Sequence, residues 1–161
     1  MLGAYDGISP LQKLNISRNN IRANGIGQLF VALRSNAMLS NLIIDHNPLG
    51  NNVPYFLTLF TDNSTLRYLS MQHCDLDCEG VACFNDGLAL NRGIYGINMS
   101  FNNIGSAGAK AIGFGILRNI GKLEEMDLTG NKIDNKGGTA LAYAISKNKR
   151  IKKFSIRHNH L

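Results

Sequence analysis

Residues 11–21 read LQKLNISRNNI, and the same spacing of apolar residues returns five more times along the chain. The first, fourth, sixth and eleventh positions are apolar in every copy, and the ninth is asparagine in all copies but one. The copies are LQKLNISRNNI (11–21), LSNLIIDHNPL (39–49), LRYLSMQHCDL (66–76), IYGINMSFNNI (94–104), LEEMDLTGNKI (123–133) and IKKFSIRHNHL (151–161). Their starts are 27 to 29 residues apart, a regularity that identifies one structural unit used repeatedly.

Each unit begins with a strand pattern and continues with a helix pattern. Apolar residues alternate in steps of two at the start, as in Leu14 and Ile16, which is the period of a β-strand. Further along, apolar residues recur three or four positions apart, which is the stripe of an amphipathic helix. The predicted core-facing helix positions are Leu29, Leu57, Phe84, Ile112 and Leu141, followed by Leu33, Phe60, Leu88, Ile116 and Ile145.

The fourth helix pattern contains two internal glycines, Gly113 and Gly115. Glycine inside a helix costs about 1 kcal/mol relative to alanine. We therefore expect this helix to be the least stable of the set.

Strand–helix units of this length, with turns such as NNIGSAGAKAIG (102–113), resemble the ribonuclease-inhibitor-like class of leucine-rich repeats. The resemblance implies an α/β, right-handed solenoid bent into a horseshoe arc, with parallel strands on the concave side and helices on the convex side. It covers residues 11–161, with repeats starting at 11, 39, 66, 94, 123 and 151 and the last one truncated. Residues 1–10 are predicted to be the end of a preceding repeat or a remnant N-terminal cap.

Composition and cysteine usage favour a cytoplasmic protein without a membrane partner. The chain of 161 residues has no run of eighteen apolar residues, and its N-terminus, MLGAYDGISP, lacks the basic and apolar regions of a secretory signal. Three cysteines are an odd number, which fits a reducing compartment better than a disulfide framework.

All three cysteines lie close together in MQHCDLDCEGVAC (71–83), which raises the question of a metal site. Within the repeat, however, Cys74 takes the inward-facing ninth position, Cys78 falls in the turn and Cys83 falls on the helix. Such positions do not converge as a tetrahedral zinc site requires. The chain also lacks the G-x-S-x-G, H-E-x-x-H and phosphate-loop motifs. We predict no catalytic residues, metal or cofactor, and no enzymatic activity.

The outward positions of the strands form ladders that predict a binding surface. Neighbouring strands lie about 4.8 Å apart, so His46 and His73, at the eighth position of adjacent repeats, should be side by side. Two imidazoles could bind a metal weakly, but a solvated pair within an interaction surface is favoured. Aromatic groups among small polar ones are typical of the centre of a protein interface. The predicted partner-binding residues are Arg18, Ile43, His46, Tyr68, His73 and Phe101.

The densest charge run is KNKRIKK (147–153), which forms a basic patch of Lys147, Lys149, Arg150, Lys152 and Lys153. Cations near the end of a helix complement its dipole, and a basic patch can also bind an acidic protein or nucleic acid. The acidic fifth repeat and the lack of aromatic platforms nearby argue against nucleic acid.

We therefore predict a non-enzymatic protein-interaction module that binds a protein partner on its concave face. One alternative is a regulatory domain resembling the Ran GTPase activator, for which Arg22 is the positional candidate. Another is an architectural segment of a cytoskeletal or axonemal assembly. Repeat solenoids need polar capping units, and their absence from both ends of this sequence predicts either a fragment of a longer repeat protein or self-association through the ends.

Overall fold

Each of the first five repeats folds into a three-residue strand followed by a helix, and the sixth contributes a strand. The computed structural model describes residues 11–51 and 56–161, without the side chain of Cys83. The prediction for residues 1–10 lies outside this range. The elements are β1 (Lys13–Asn15), α1 (Ala23–Leu33), β2 (Asn41–Ile43), α2 (Phe56–Asp62), β3 (Tyr68–Ser70), α3 (Cys78–Leu90), β4 (Gly96–Asn98), α4 (Gly105–Arg118), β5 (Glu125–Asp127), α5 (Asn135–Lys147) and β6 (Lys153–Ser155). Within the described ranges, no helix is long and apolar enough to span a bilayer.

The six strands form one parallel sheet in chain order, β1 to β6. The register aligns equivalent repeat positions, so that Lys13 pairs with Asn41 and Asn41 with Tyr68. The helices pack on one face of the sheet, and the stacked units form the predicted solenoid. The solvent-facing, concave side of the sheet is called the strand face below.

The core lies between the sheet and the helices, and four phenylalanines form its centre in the first three repeats. The rings of Phe60 and Phe84 meet edge to face with centroids 4.7 Å apart, and Phe30 packs on Phe56 at 5.1 Å. Edge-to-face pairs place the positive ring edge against the negative ring face of the partner. This cluster ties α1, α2 and α3 together.

Three of the predicted core positions were wrong by one residue, among them Ile145, which is only partly buried beside the fully buried Ala144. Leu57 is 47% exposed, whereas the neighbouring Phe56 is 1% exposed. Likewise, Leu29 is only partly buried and Phe30 is fully buried. In α1 and α2 the larger phenylalanine occupies the core, where its ring buries more apolar area than leucine would.

Asparagine side chains join successive turns on the carboxyl side of the strands. Asn102 is buried; its Oδ1 accepts hydrogen bonds from the backbone N–H groups of Cys74 (2.9 Å) and Leu76 (3.1 Å). Its Nδ2 donates to the carbonyl oxygens of Met71 and Met99. One side chain therefore satisfies backbone groups of two repeats, which explains why asparagine recurs at the ninth position.

A second asparagine ladder, outside the predicted repeat positions, follows the helices. Asn91 shows the pattern: Oδ1 accepts from Gly93 and Ile94 N–H, and Nδ2 donates to the Phe60 carbonyl of the preceding repeat at 2.7 Å. The equivalent residues are Asn36, Asn63, Asn119 and Asn148. Their spacing of 27 to 29 residues is visible in the sequence and could have revealed them.

The glycines of α4 have a packing role that helix propensity does not take into account. Gly113 and Gly115 are buried. A Cβ on Gly115 would collide with Asn85 Oδ1, and one on Gly113 would lie 3.3 Å from the Ala140 carbonyl oxygen. The missing side chains let α4 approach both α3 and α5 closely, so the propensity argument was insufficient.

Candidate functional site

The six predicted partner-binding residues fall into two groups in the structure. Ile43 and Tyr68 line a groove over the strands with a volume of about 540 Å3, which we call the strand groove. The other four lie beyond the carboxyl ends of β1 to β4, in one line across the sheet. We call this line the aromatic row, and its members are Arg18, His46, His73 and Phe101.

The aromatic row is a continuous stack. His46 and His73 have ring centroids 4.6 Å apart with planes at 13°, and His73 and Phe101 have centroids 4.8 Å apart with planes at 3°. At the end of the stack, Arg18 Nη2 lies 3.3 Å from His46 Nε2. Because a guanidinium nitrogen can only donate, this contact requires an unprotonated Nε2 on His46.

Backbone geometry explains why these side chains line up. The eighth residue of every repeat has a positive φ, between 50° and 67°, namely Arg18, His46, His73, Phe101, Gly130 and His158. This left-handed conformation turns the chain sharply after each strand and points the side chain the same way in each repeat. The residue types are a weak indication of this conformation: one of the six is glycine and three are histidine, which is enriched at positive φ, but arginine and phenylalanine are not.

Two aromatic side chains lie over a glycine at the same position of the next repeat. A Cβ on Gly96 would lie 2.6 Å from the Tyr68 ring, and one on Gly130 would lie 2.7 Å from the Phe101 ring. Tyr68 and Gly96 are register partners on β3 and β4. Each glycine thus leaves room for the preceding ring to lie across the sheet, while Tyr68 and Phe101 remain 45% and 44% exposed.

A polar network lies beneath the histidines. Asp45 Oδ1 accepts from Ser70 Oγ (2.7 Å) and from Gln72 N–H (2.9 Å), and Oδ2 accepts from Gln72 Nε2 (3.2 Å). Gln72 Oε1 in turn accepts from Ser100 Oγ at 3.0 Å. The network links the seventh residues of three repeats, Asp45, Gln72 and Ser100. The Asp45 carboxylate, which adjoins His46 in the chain, accepts three hydrogen bonds within it.

The electrostatics of the row disfavour a charge on His46. The pKa of His46 is lowered, and the largest cause is the loss of solvent around its ring. The charge of Arg18 and the neighbouring His73 lower this pKa further, whereas the Asp45 carboxylate raises it. His46 is therefore a neutral acceptor for Arg18 at neutral pH.

The basic patch is partly neutralised. Lys152 forms an ion pair with Glu124 (2.8 Å) and Lys153 with Glu125 (2.6 Å), so the acidic fifth repeat compensates the sixth. Lys147 is the last residue of α5, where its charge complements the helix dipole. Lys149 and Arg150 lie beyond the helix, contrary to the expectation that they end it.

Two of the three cysteines have described side chains, and the structure corrects the location of one of them. Cys74 is buried, its Sγ donates to the carbonyls of Ile44 (3.4 Å) and Gln72 (3.3 Å), and burial raises its pKa to about 11. Cys78 is the exposed first residue of α3 and not part of the turn. Among the described side chains, no three histidines, cysteines or carboxylates are grouped to hold a metal ion.

Arg22, the positional candidate for a GTPase-activating role, is the exposed residue preceding α1.

A sequence profile described as leucine-rich repeat matches residues 8–29, 62–84, 97–113 and 122–142, just over half of the chain. The chain is 29% identical over 120 residues to ribonuclease inhibitor of Sus scrofa, a match that covers 73% of this chain and 26% of that protein. It is 27% identical over 136 residues to NACHT, LRR and PYD domains-containing protein 14 of Mus musculus, covering 83% of this chain and 14% of that protein. The chain thus spans a minor part of these relatives.

Two solved structures share the fold. Leiomodin-1 actin-binding site 2 aligns with a TM-score of 0.63 and 16% identity, over 93% of this chain and 70% of that one. The tropomodulin C-terminal domain of Caenorhabditis elegans aligns with a TM-score of 0.67 and 13% identity, over 85% of this chain and 83% of that one.

Proposed function

The chain belongs to the leucine-rich repeat family, and we propose that it is a non-enzymatic module that binds a protein partner on its strand face. The proposed contact surface consists of the strand groove and the aromatic row. Tyr68 and Phe101 supply its apolar anchors, Ile43 adds apolar area, and Arg18, His46 and His73 supply polar contacts.

The observation that carries the proposal is the pair of half-exposed rings held over glycines. Tyr68 is positioned by the gap at Gly96, and Phe101 by the gap at Gly130 and by its stacking on His73. A ring already fixed in place loses little conformational entropy when a partner covers it. Exposed, ordered aromatic side chains surrounded by polar groups are the usual hot spots of protein interfaces.

The test compares two double variants by proximity labelling in cells. Tyr68→Ala with Phe101→Asn removes both anchors, and asparagine tolerates the positive φ of position 101. The matched control is Phe114→Ala with Tyr143→Ala, which removes two aromatics that are 62% and 59% exposed on α4 and α5. The expected result is the loss of specific neighbours in the first variant alone.

A neighbour identified in this way is then purified and its affinity measured. Truncation of either anchor should weaken binding by about 2 kcal/mol or more. Unchanged affinity in both single variants, or an equal loss in the control pair, would contradict the assignment of the strand face.

A second candidate function is an architectural role in a cytoskeletal assembly. The observation that favours it is the fold similarity to leiomodin-1 actin-binding site 2 and to the tropomodulin C-terminal domain. Co-sedimentation of the chain with filamentous actin tests it directly. Binding that survives the loss of Tyr68 and Phe101 would favour this role over the strand-face proposal. The GTPase-activating alternative at Arg22 and self-association through the ends stay predictions.

A further inference from the structure

A basic groove lies at the amino ends of the strands, on the edge of the sheet opposite the aromatic row. It has a volume of about 700 Å3 and is built from the loops that precede β4, β5 and β6. Its lining includes Arg92, Tyr95, Ile120, Lys122, Glu124 and Arg150. The groove differs from the basic patch predicted from the sequence. Of the five residues of that patch, Arg150 lines the groove and Lys152 is paired with its lining residue Glu124.

Positive charge in the basic groove far exceeds negative charge. Arg67 Cζ lies 5.8 Å and Lys122 Nζ 5.7 Å from the centre of the Tyr95 ring. The groove carboxylate, Glu124, is paired with Lys152 at 2.8 Å. Three lining cations, Arg92, Lys122 and Arg150, with Arg67 and Lys152 beside them, therefore accompany one carboxylate, a formal excess of four in a chain whose net charge is +6.

Two of the guanidinium groups are held in place by backbone carbonyls. Arg67 Nη1 donates to the carbonyls of Ser64 (2.6 Å) and Gly93 (3.0 Å). Arg150 Nη1 donates to the carbonyls of Ile120 (2.6 Å) and Gly121. A guanidinium has five N–H groups, and most of those on each arginine remain for a ligand. Arg92 makes no side-chain hydrogen bond or ion pair within the described residues.

We propose that the basic groove binds an acidic segment of a partner protein. Its carboxylates would meet Arg92, Lys122 and the fixed guanidinium groups, since charge-assisted hydrogen bonds are the strong ones. An adjacent apolar side chain would pack on Ile120, which is 56% exposed. A nucleic acid fits less well, because base stacking needs a free aromatic face and the Tyr95 ring already has Arg67 and Lys122 over it.

The experiment titrates a fluorescent octaglutamate peptide into the whole chain at low ionic strength. Arg92→Gln with Lys122→Gln should weaken binding by about tenfold or more. The matched control, Lys110→Gln with Lys136→Gln, removes the same charge from exposed positions on α4 and α5 and should change affinity by less than about twofold. Circular dichroism confirms that each variant is folded.

Three outcomes would overturn the proposal. They are the absence of peptide binding, an equal loss in the two variant pairs, or tighter binding of a single-stranded oligonucleotide that the groove variant abolishes. The inference is independent of the strand face, so Tyr68→Ala with Phe101→Asn should bind octaglutamate as the unaltered chain does.

Discussion

His46 and His73 stack face to face with ring centroids 4.6 Å apart, although they are 27 residues apart in the chain. Arg18 contacts a ring nitrogen of His46, with 3.3 Å between Nη2 and Nε2. Protonation of His46 would place a second donor against Arg18 and a positive charge beside His73. The stack is therefore built around a neutral imidazole at position 46.

The first prediction is that acid weakens the fold through His46. Its folded-state pKa is below the ordinary value of 6.5, so between these two values the unfolded chain binds more protons than the folded chain. The contribution of His46 to stability is complete above pH 6.5 and is lost as pH falls through the folded-state pKa. The measurement is the urea midpoint as a function of pH.

The control for this prediction compares two asparagine variants. His46→Asn should flatten the decline in the midpoint over this window, because asparagine does not titrate and accepts a positive φ. His158→Asn changes the equivalent residue of the sixth repeat, which has φ 53°, and should leave the decline in place. Parallel curves for His46→Asn and the unaltered chain would show that the stack does not govern acid stability.

The second prediction is that the thiol of Cys74 is protected. With a pKa of about 11 and no solvent exposure, the Cys74 side chain should react with a disulfide reagent only when the fold opens. A Cys78→Ser, Cys83→Ser chain carries this thiol alone, and a Cys74→Ser, Cys83→Ser chain carries the exposed Cys78. At about pH 8 the first should react at least 100-fold more slowly than the second. Similar rates would contradict the buried position of Cys74.

Much of the fold was predictable because each repeat obeys the same spatial constraint. Leu14, Leu42 and Leu69 must all face the same core, so their spacing gives the strands, their parallel order and their register. The helices were harder to place: whether Leu57 or Phe56 faces the core depends on the neighbouring phenylalanines. Local periodicity does not contain that information.

Some neighbour relationships within the candidate site could be predicted from the sequence, but its geometry could not. Adjacency of His46 and His73 followed from the strand register. The separation of Tyr68 from the aromatic row, the glycine gaps beneath the rings and the positive φ values depend on backbone conformation beyond the strands. The basic groove was missed because its lining cations, Arg92, Lys122 and Arg150, come from three different loops with one lining cation each.

The third prediction concerns the buried asparagines. Asn102→Ala leaves the backbone N–H groups of Cys74 and Leu76 without their acceptor, and each unsatisfied group costs about 1–3 kcal/mol. We expect the free energy of unfolding to fall by about 2–4 kcal/mol in urea denaturation. Asn103→Ala, at an exposed neighbouring position, should change it by less than about 0.5 kcal/mol. Equal losses would mean that the ladder contributes little.

The fourth prediction separates packing from helix propensity in α4. Propensity alone would make Gly115→Ala stabilising by about 1 kcal/mol. Because its Cβ would collide with Asn85 Oδ1 and lie 3.3 Å from the Asn85 backbone carbonyl oxygen, we expect a loss of about 1–3 kcal/mol instead. Ala107→Gly, at an exposed position of the same helix, gives the propensity effect by itself, a loss of about 1 kcal/mol. A stabilised Gly115→Ala chain would show that α4 does not need the close approach.

The fifth prediction tests whether Gly130 positions Phe101. Alanine at position 130 has two costs: a φ of 67°, unfavourable by about 1–2 kcal/mol for a residue with a Cβ, and a clash with the Phe101 ring. Gly50→Ala has the first cost alone, since φ is 65° and nothing lies within 4 Å of the added Cβ. In NMR spectra, the ring protons of His73 should shift in Gly130→Ala and not in Gly50→Ala, because the Phe101 ring stacked on His73 at 4.8 Å must move. If His73 gives the same shifts in both variants, the glycine gap does not hold the ring, and the positioning of Phe101 must come from its stacking on His73 alone.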